Sequence, residues 1–160
     1  TSTLGKALGG ASGGFTSSNK NIIDLLRQRS RPYLFSNTIA PVIAYTAIKT
    51  IDMLNKSSSL REKLMENTNY FRKNIKEIGY TIQEGDHPIV PIMIGDAKLA
   101  QTISKEMLKR DVFVVGFSYP VVPKNQARIR VQLSASHSKK QLNQALKAFK
   151  EVGISLGLFS

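Results

Sequence analysis

Lys6 stands among five glycines in the stretch TSTLGKALGGASGG. A primary amine in such a setting suggests two chemistries. The first is the phosphate loop of a Walker motif, which needs a Gly separated by four residues from the Gly-Lys pair and Ser or Thr directly after it. Ala7 follows Lys6, and the place for the first Gly falls ahead of Thr1, so that reading is disfavoured. A dinucleotide fingerprint fails as well, because no GxGxxG is present. The second chemistry is Schiff-base formation. An amine attacks an aldehyde only when uncharged, so such a lysine sits desolvated or beside other cations. Glycines let the backbone approach a flat group and adopt dihedrals closed to other residues. Ser2 and Thr3 offer hydroxyls able to hold a phosphate. A loop carrying a solvated lysine satisfies the same residues, and the pattern alone leaves both open.

The elements around this loop follow from periodicity. Residues 1–18 are rich in Gly, Ser and Thr and read as loop. Ile22, Ile23, Leu25 and Leu26 suit one helical face ending near Arg29. RSRPYLFSN reads as irregular, with Pro32 inside it. Residues 39–55 predict a buried helix with Pro41 in its first turn. Leu60, Leu64, Phe71, Ile75 and Ile78 predict a second, amphipathic helix, with Gly79 at its C-terminal cap. Tyr80 to Gln83 and Ile89 to Ile94 read as strands around the turn EGDHP. Asp96 caps a helix through about Arg110, and Val112 to Phe117 is a strand. From Ala127 to Leu133 the chain alternates: Ile129, Val131 and Leu133 share one face, Arg128, Arg130 and Gln132 the other. Ser138 and Gln141 form a capping box for a last helix. The order is helices, then ββαββα: an α/β chain with an α+β small domain. Residues 1–78 have no strands in this reading and are expected to belong to a larger unit, and 79–160 to form a compact small domain.

Composition narrows the class. The chain has no Cys, which excludes a disulfide framework and a thiolate zinc site; no metal is expected. No apolar run approaches the roughly 20 residues that span a bilayer, and an intracellular protein is the default reading. The net charge of +12 fits nucleic acid, an anionic surface or anionic small molecules. The charges are scattered over helical stretches, without aromatic interleaving, so neither nucleic acid nor membrane is expected as a partner. A non-catalytic basic binding module stays as the alternative from another class.

TLGKALGGASGG resembles the cofactor-lysine segment of the α-oxoamine synthases, pyridoxal-phosphate enzymes of fold type I. The resemblance continues through RQRSRPYLFSN, YPVVPKNQARIRVQLSASH and the last helix. These enzymes condense an amino acid with an acyl-CoA. RSRPYLFSN with YPVVPK and ARIR is most similar to members that join glycine and acetyl-CoA to give 2-amino-3-oxobutyrate, a reaction that runs in reverse in threonine breakdown. Sister enzymes usually carry Ser-Thr or Thr-Thr where this chain has Ser36-Asn37.

The resemblance implies roles. Lys6 would bond pyridoxal phosphate and then act as base on glycine. Thr3 would bind the cofactor phosphate in its own subunit, while Ser36 and Asn37 would reach the partner's phosphate across a homodimer interface. Arg130 would clamp the substrate carboxylate, in keeping with its place opposite the core face and with the guanidinium fork's match to a carboxylate. Arg128 is its rival on that face. A helix cap for Ser36-Asn37 and a surface arginine for Arg130 are the plain alternatives. His87 and His137 read as structural, and Tyr119 and Pro120 as shaping a cleft-lining loop. The family's pyridine-facing aspartate and ring-orienting histidines do not occur here. The chain is therefore expected to be a C-terminal portion, inactive alone, of a cytoplasmic enzyme, or a mitochondrial one in a eukaryote.

Overall fold

The computed structural model describes residues 1–159. It comprises two compact units, Thr1–Ser58 and Ser59–Ser160.

The first unit opens with two short strands, β1 (Ser2–Thr3) and β2 (Gly14–Phe15), paired antiparallel with Ser2 opposite Phe15. Between them the chain folds back on itself. Leu4 N–H donates to Gly13 O at 3.0 Å, Gly10 N–H to Leu4 O at 2.6 Å and Gly9 N–H to Lys6 O at 2.9 Å. Gly9 and Gly13 have φ of 67° and 84°, the left-handed region that disfavours a Cβ. At Gly10 a Cβ would lie 2.9 Å from Leu4 Cβ and 3.0 Å from Ile43 Cγ2, so only glycine fits beside the buried Leu4. The stretch read as plain loop is thus a small strand pair with an ordered tip.

Helix α1 (Lys20–Arg29) is capped by Asn19, whose side chain accepts from Ile22 N–H at 3.1 Å. The segment read as irregular contains a short helix, α2 (Arg31–Phe35). Pro32 does not break it, because proline in the first turn removes an N–H that has no partner there anyway. Helix α3 (Pro41–Lys56) follows, with Pro41 at its start. The expected burial of this helix is corrected: only Ala47 is buried, while Val42, Ile48 and Met53 are exposed.

The second unit begins with α4 (Ser59–Ile78), grouped above with residues 1–78. Its stripe of Phe71 and Ile75 enters the apolar cluster of this unit. Gly79 follows at φ 117°. The expected strand at Tyr80 to Gln83 shrinks to a single bridge, Ile82 opposite Ile92. Then come β3 (Ile89–Gly95), α5 (Ala97–Leu108), β4 (Val115–Phe117), β5 (Ala127–Gln132) and α6 (Lys139–Ser155). The strand expected from Val112 starts only at Val115, after a turn with Asp111 at φ 59°. The three strands form an antiparallel sheet in the order β3-β5-β4.

Two caps match their sequence signals. Asp96 accepts from Leu99 N–H at 2.7 Å. The Ser138–Gln141 box is formed on both sides, with Ser138 N–H donating to Gln141 Oε1 at 2.9 Å. Val90, Ile92, Ile129 and Val131 turn one sheet face inward, against Ile103 and Met107 of α5. Helix α6 packs on α4 and α5 and adds Phe149, which meets Phe71 and Tyr80 edge to face.

Candidate active site

The candidate residues occupy two places, one in each unit. In the first unit, Lys6 sits at the tip of the β1–β2 loop and is exposed. Its carbonyl closes the tight turn to Gly9, so the backbone at the lysine is fixed while the side chain projects freely. Thr3 lies at the base of the same loop. Its Oγ1 accepts from Gly5 N–H at 3.3 Å and donates to Gly13 O at 3.5 Å. Both bonds are long, so the hydroxyl is only loosely engaged.

Ser36 and Asn37 follow α2 and line a recess of about 780 Å³ together with Ser2, Thr16 and Arg27. Ser36 N–H donates to Pro32 O at 3.2 Å, closing α2. Neither residue caps α3: its N-cap is Ala40, which offers no side-chain bond. The alternative of a cap for the helix at 39–55 is thereby removed, while Ser36 caps the end of α2. The recess collects Ser36 and Asn37 with Ser2, whereas Lys6 and Thr3 do not line it.

In the second unit, β5 presents Arg128 and Arg130 on the face away from the core, with Arg130 opposite Pro91 on β3 and Val115 on β4. The two arginines are held differently. Arg128 donates to its own turn, at 3.2 Å to Gln126 O and 3.3 Å to Gln126 Oε1. Arg130 lays its guanidinium over the Phe117 ring, 4.4 Å from the centroid. Among the described residues no carboxylate pairs with either, while Arg110 nearby in sequence pairs with Glu106 and Glu151. The hydrogen bond from Lys109, with Arg110 second, holds the Glu106 carboxyl below its ordinary range. Arg130 is therefore an exposed fork whose hydrogen-bonding edge is open.

Both histidines have structural roles. His87 Nδ1 accepts from Ile89 N–H at 3.0 Å and His137 Nδ1 from Ser134 N–H at 3.2 Å. Tyr119 is exposed, and Lys124 lies 5.4 Å from its ring centroid.

Two residues were not anticipated. Asn67, fully buried on α4, donates from Nδ2 to Ser134 O at 3.0 Å and His137 O at 2.9 Å. It thus fastens the loop that leaves β5 just after Arg130. Arg72 donates to Gln83 O and His87 O, each at 3.0 Å, and to Ile89 O at 3.5 Å, clasping the connection into β3. The signal was present: Asn67 and Thr68 interrupt the apolar stripe Leu64, Phe71, Ile75 at core-facing positions, where a polar residue must find a buried partner.

Lys6 thus lies on a glycine-bracketed turn of the first unit, and Arg130 on a sheet strand of the second. Residues 1–149 match the family described as aminotransferase class I and II, and the chain belongs to it. It is 49% identical over 160 residues to 2-amino-3-ketobutyrate coenzyme A ligase of Escherichia coli, covering all of this chain and 40% of the relative. It is 40% identical over 156 residues to 8-amino-7-oxononanoate synthase of Thermosipho melanesiensis, covering 98% of this chain and 40% of the relative. Among solved structures it is similar to serine palmitoyltransferase from S. paucimobilis with a bound PLP–myriocin aldimine, at a TM-score of 0.87 and 26% identity. That match covers 98% of this chain and 40% of the other. The chain thus spans about two-fifths of the length of the curated relatives it matches. No helix among the described residues is long and apolar enough to cross a membrane.

Proposed function

We propose that this chain carries the lysine-bearing part of a pyridoxal-phosphate acyltransferase that condenses glycine with acetyl-CoA to 2-amino-3-oxobutyrate and CoA. Residues 1–78 are the end of its cofactor domain and 79–160 its small domain, with α4 of the former packed into the core of the latter. The active enzyme is a homodimer. The observation that carries the reading is the 49% identity to 2-amino-3-ketobutyrate coenzyme A ligase across all 160 residues.

The donor set fits the cofactor. Lys6 offers an unpaired amine on a backbone fixed by glycines, and Thr3, Ser36 and Asn37 offer neutral hydrogen-bonding groups suited to a phosphate. Pyridoxal phosphate, when bound, supplies the electron sink for charge at the α-carbon of glycine. Lys6 would hold the cofactor through its Nζ and would serve as the base for the α-proton of glycine. Thr3 Oγ1 would hold the phosphate within its own subunit, and Ser36 and Asn37 would hold the partner's. Arg130 grips the glycine carboxylate through two parallel N–H donors, which fixes the α-carbon for attack. The new carbon–carbon bond forms at the acetyl carbonyl, the thioester C–S bond breaks, and CoA leaves as the thiol.

The full-length protein, loaded with pyridoxal phosphate and reduced with borohydride, is expected to carry the label on the TLGKALGG peptide. Lys6→Ala abolishes the label, and a label elsewhere ends this reading. The 40% identity to an 8-amino-7-oxononanoate synthase favours a second reading, a sister synthase with a longer acyl donor. Turnover decides between them: glycine with acetyl-CoA should exceed pimeloyl, succinyl and palmitoyl donors, and preference for alanine or serine over glycine would refute the assignment.

A further inference from the structure

We infer that Phe117 is a positioning residue that holds the Arg130 guanidinium in place before a carboxylate arrives; this rests on the reading of Arg130 as the clamp.

The strand register supplies the first argument. Phe117 pairs with Arg128, yet its ring lies under Arg130, 4.4 Å from the guanidinium carbon. This is the diagonal contact that a long side chain makes between neighbouring strands. The arginine directly opposite the ring turns away to Gln126.

The second argument is that Arg130 has no other anchor. Among the described residues its guanidinium makes neither an ion pair nor a hydrogen bond, and the Phe117 ring beneath it is what limits its rotamers. The ring attracts the cation through its π face, whereas a carboxylate is bound through the guanidinium N–H donors. The ring therefore orders the group without consuming a donor.

The third argument concerns the ring's own support. A Cβ at Gly116 would lie 3.1 Å from Ala100 O and 3.1 Å from Ser104 Oγ. The backbone of β4 is thus pressed onto α5, and Phe117, on the alternate face, leaves from a fixed base. Holding a flexible cation in its bound rotamer lowers the ordering cost on binding, an effect of roughly two- to tenfold in affinity for an exposed site.

The test uses the full-length, cofactor-loaded protein and measures KM for glycine, KM for acetyl-CoA and kcat separately. Phe117→Leu is expected to raise the glycine KM roughly three- to tenfold with the acetyl-CoA KM unchanged. Phe117→Tyr keeps the ring face and should restore the glycine KM. Phe117→Met gives a second ring-free replacement of similar bulk should the leucine variant fold poorly. A glycine KM within twofold of the parent in the ring-free variants would overturn the inference. So would equal rises in both KM values, which mark a general structural defect. Arg130→Ala separates the two levels: if it leaves the glycine KM unmoved, the clamp itself fails, and Phe117 loses its object with it. If it raises the KM while the ring-free variants do not, the clamp stands and only the positioning role falls.

Discussion

Residues 1–58 and 59–160 keep their shapes by different means. The second unit gathers its apolar side chains into one cluster from Phe71 to Val152. In the first, among the described residues, only Leu4 and Ala47 are buried apolar side chains, and α3 leaves Val42 and Met53 about 70% exposed. There the loop around Lys6 is defined by left-handed glycines and backbone hydrogen bonds. Arg130 therefore rides on a platform with its own core, while Lys6 rides on a turn whose form depends on a few dihedral angles. Damage to the first kind of structure spreads through the unit, and damage to the second stays where it is made.

The sharpest way to break this contrast is to remove a large ring from the core. Phe149→Ala should lower stability by about 3–5 kcal/mol in urea unfolding; a loss below about 1 kcal/mol would show that the cluster is not a packed core. Asn67→Ala should cost about 1–3 kcal/mol, because two carbonyls lose their donor inside the fold. Its readout is also functional: the glycine KM of the full-length protein should rise as the segment after β5 loosens. Gly13→Ala tests the other region. Strain at φ 84° amounts to about 1–2 kcal/mol, before the clash with Ile39 is counted. Amide exchange should quicken at Leu4 and Gly10 while the amides of β5 stay protected. If the β5 amides quicken too, the two regions are not mechanically separate.

Smaller still is the effect at Tyr80, whose hydroxyl donates to Phe149 O at 2.9 Å. Tyr80→Phe should cost about 1 kcal/mol at neutral pH. Burial pushes the phenol from 10.0 up to about 12. The folded state thus disfavours the phenolate, so this contribution is complete below pH 10 and is lost as pH climbs toward 12. The phenylalanine variant should show a flatter alkaline limb, measured by unfolding between those limits. Ile48→Ala, on the exposed face of α3, sets the floor at within about 0.5 kcal/mol for this chain.

Local signals were legible where a residue type has one dominant use. Asp96, the Ser138–Gln141 box and the alternation from Ala127 each announce an element and each forms it. Reading failed where the outcome depends on partners distant in sequence. Tyr80 to Gln83 looks like a strand, yet pairing across from β3 sustains one bridge only. The apolar face of α3 promises burial, but periodicity states what a face can do and not what covers it. RSRPYLFSN reads as irregular because proline both starts and stops helices, and its position within the turn decides which. At the candidate site, Lys6 and Arg130 were found through a family resemblance. Phe117 was invisible because its role depends on strand register, and register is a property of two segments.

Arg72 carries a last consequence. What surrounds its guanidinium is a set of peptide oxygens from Gln83, His87 and Ile89. Dissolved ions shield charges on the outside of a molecule over about 10 Å at 0.1 M. They have little access to a cation 8% exposed and gripped by fixed dipoles. In concentrated brine the outer Lys76–Glu84 pair should let go while this inner clasp keeps its hold, so the path from α4 into the sheet is built to ignore the saltiness of its surroundings.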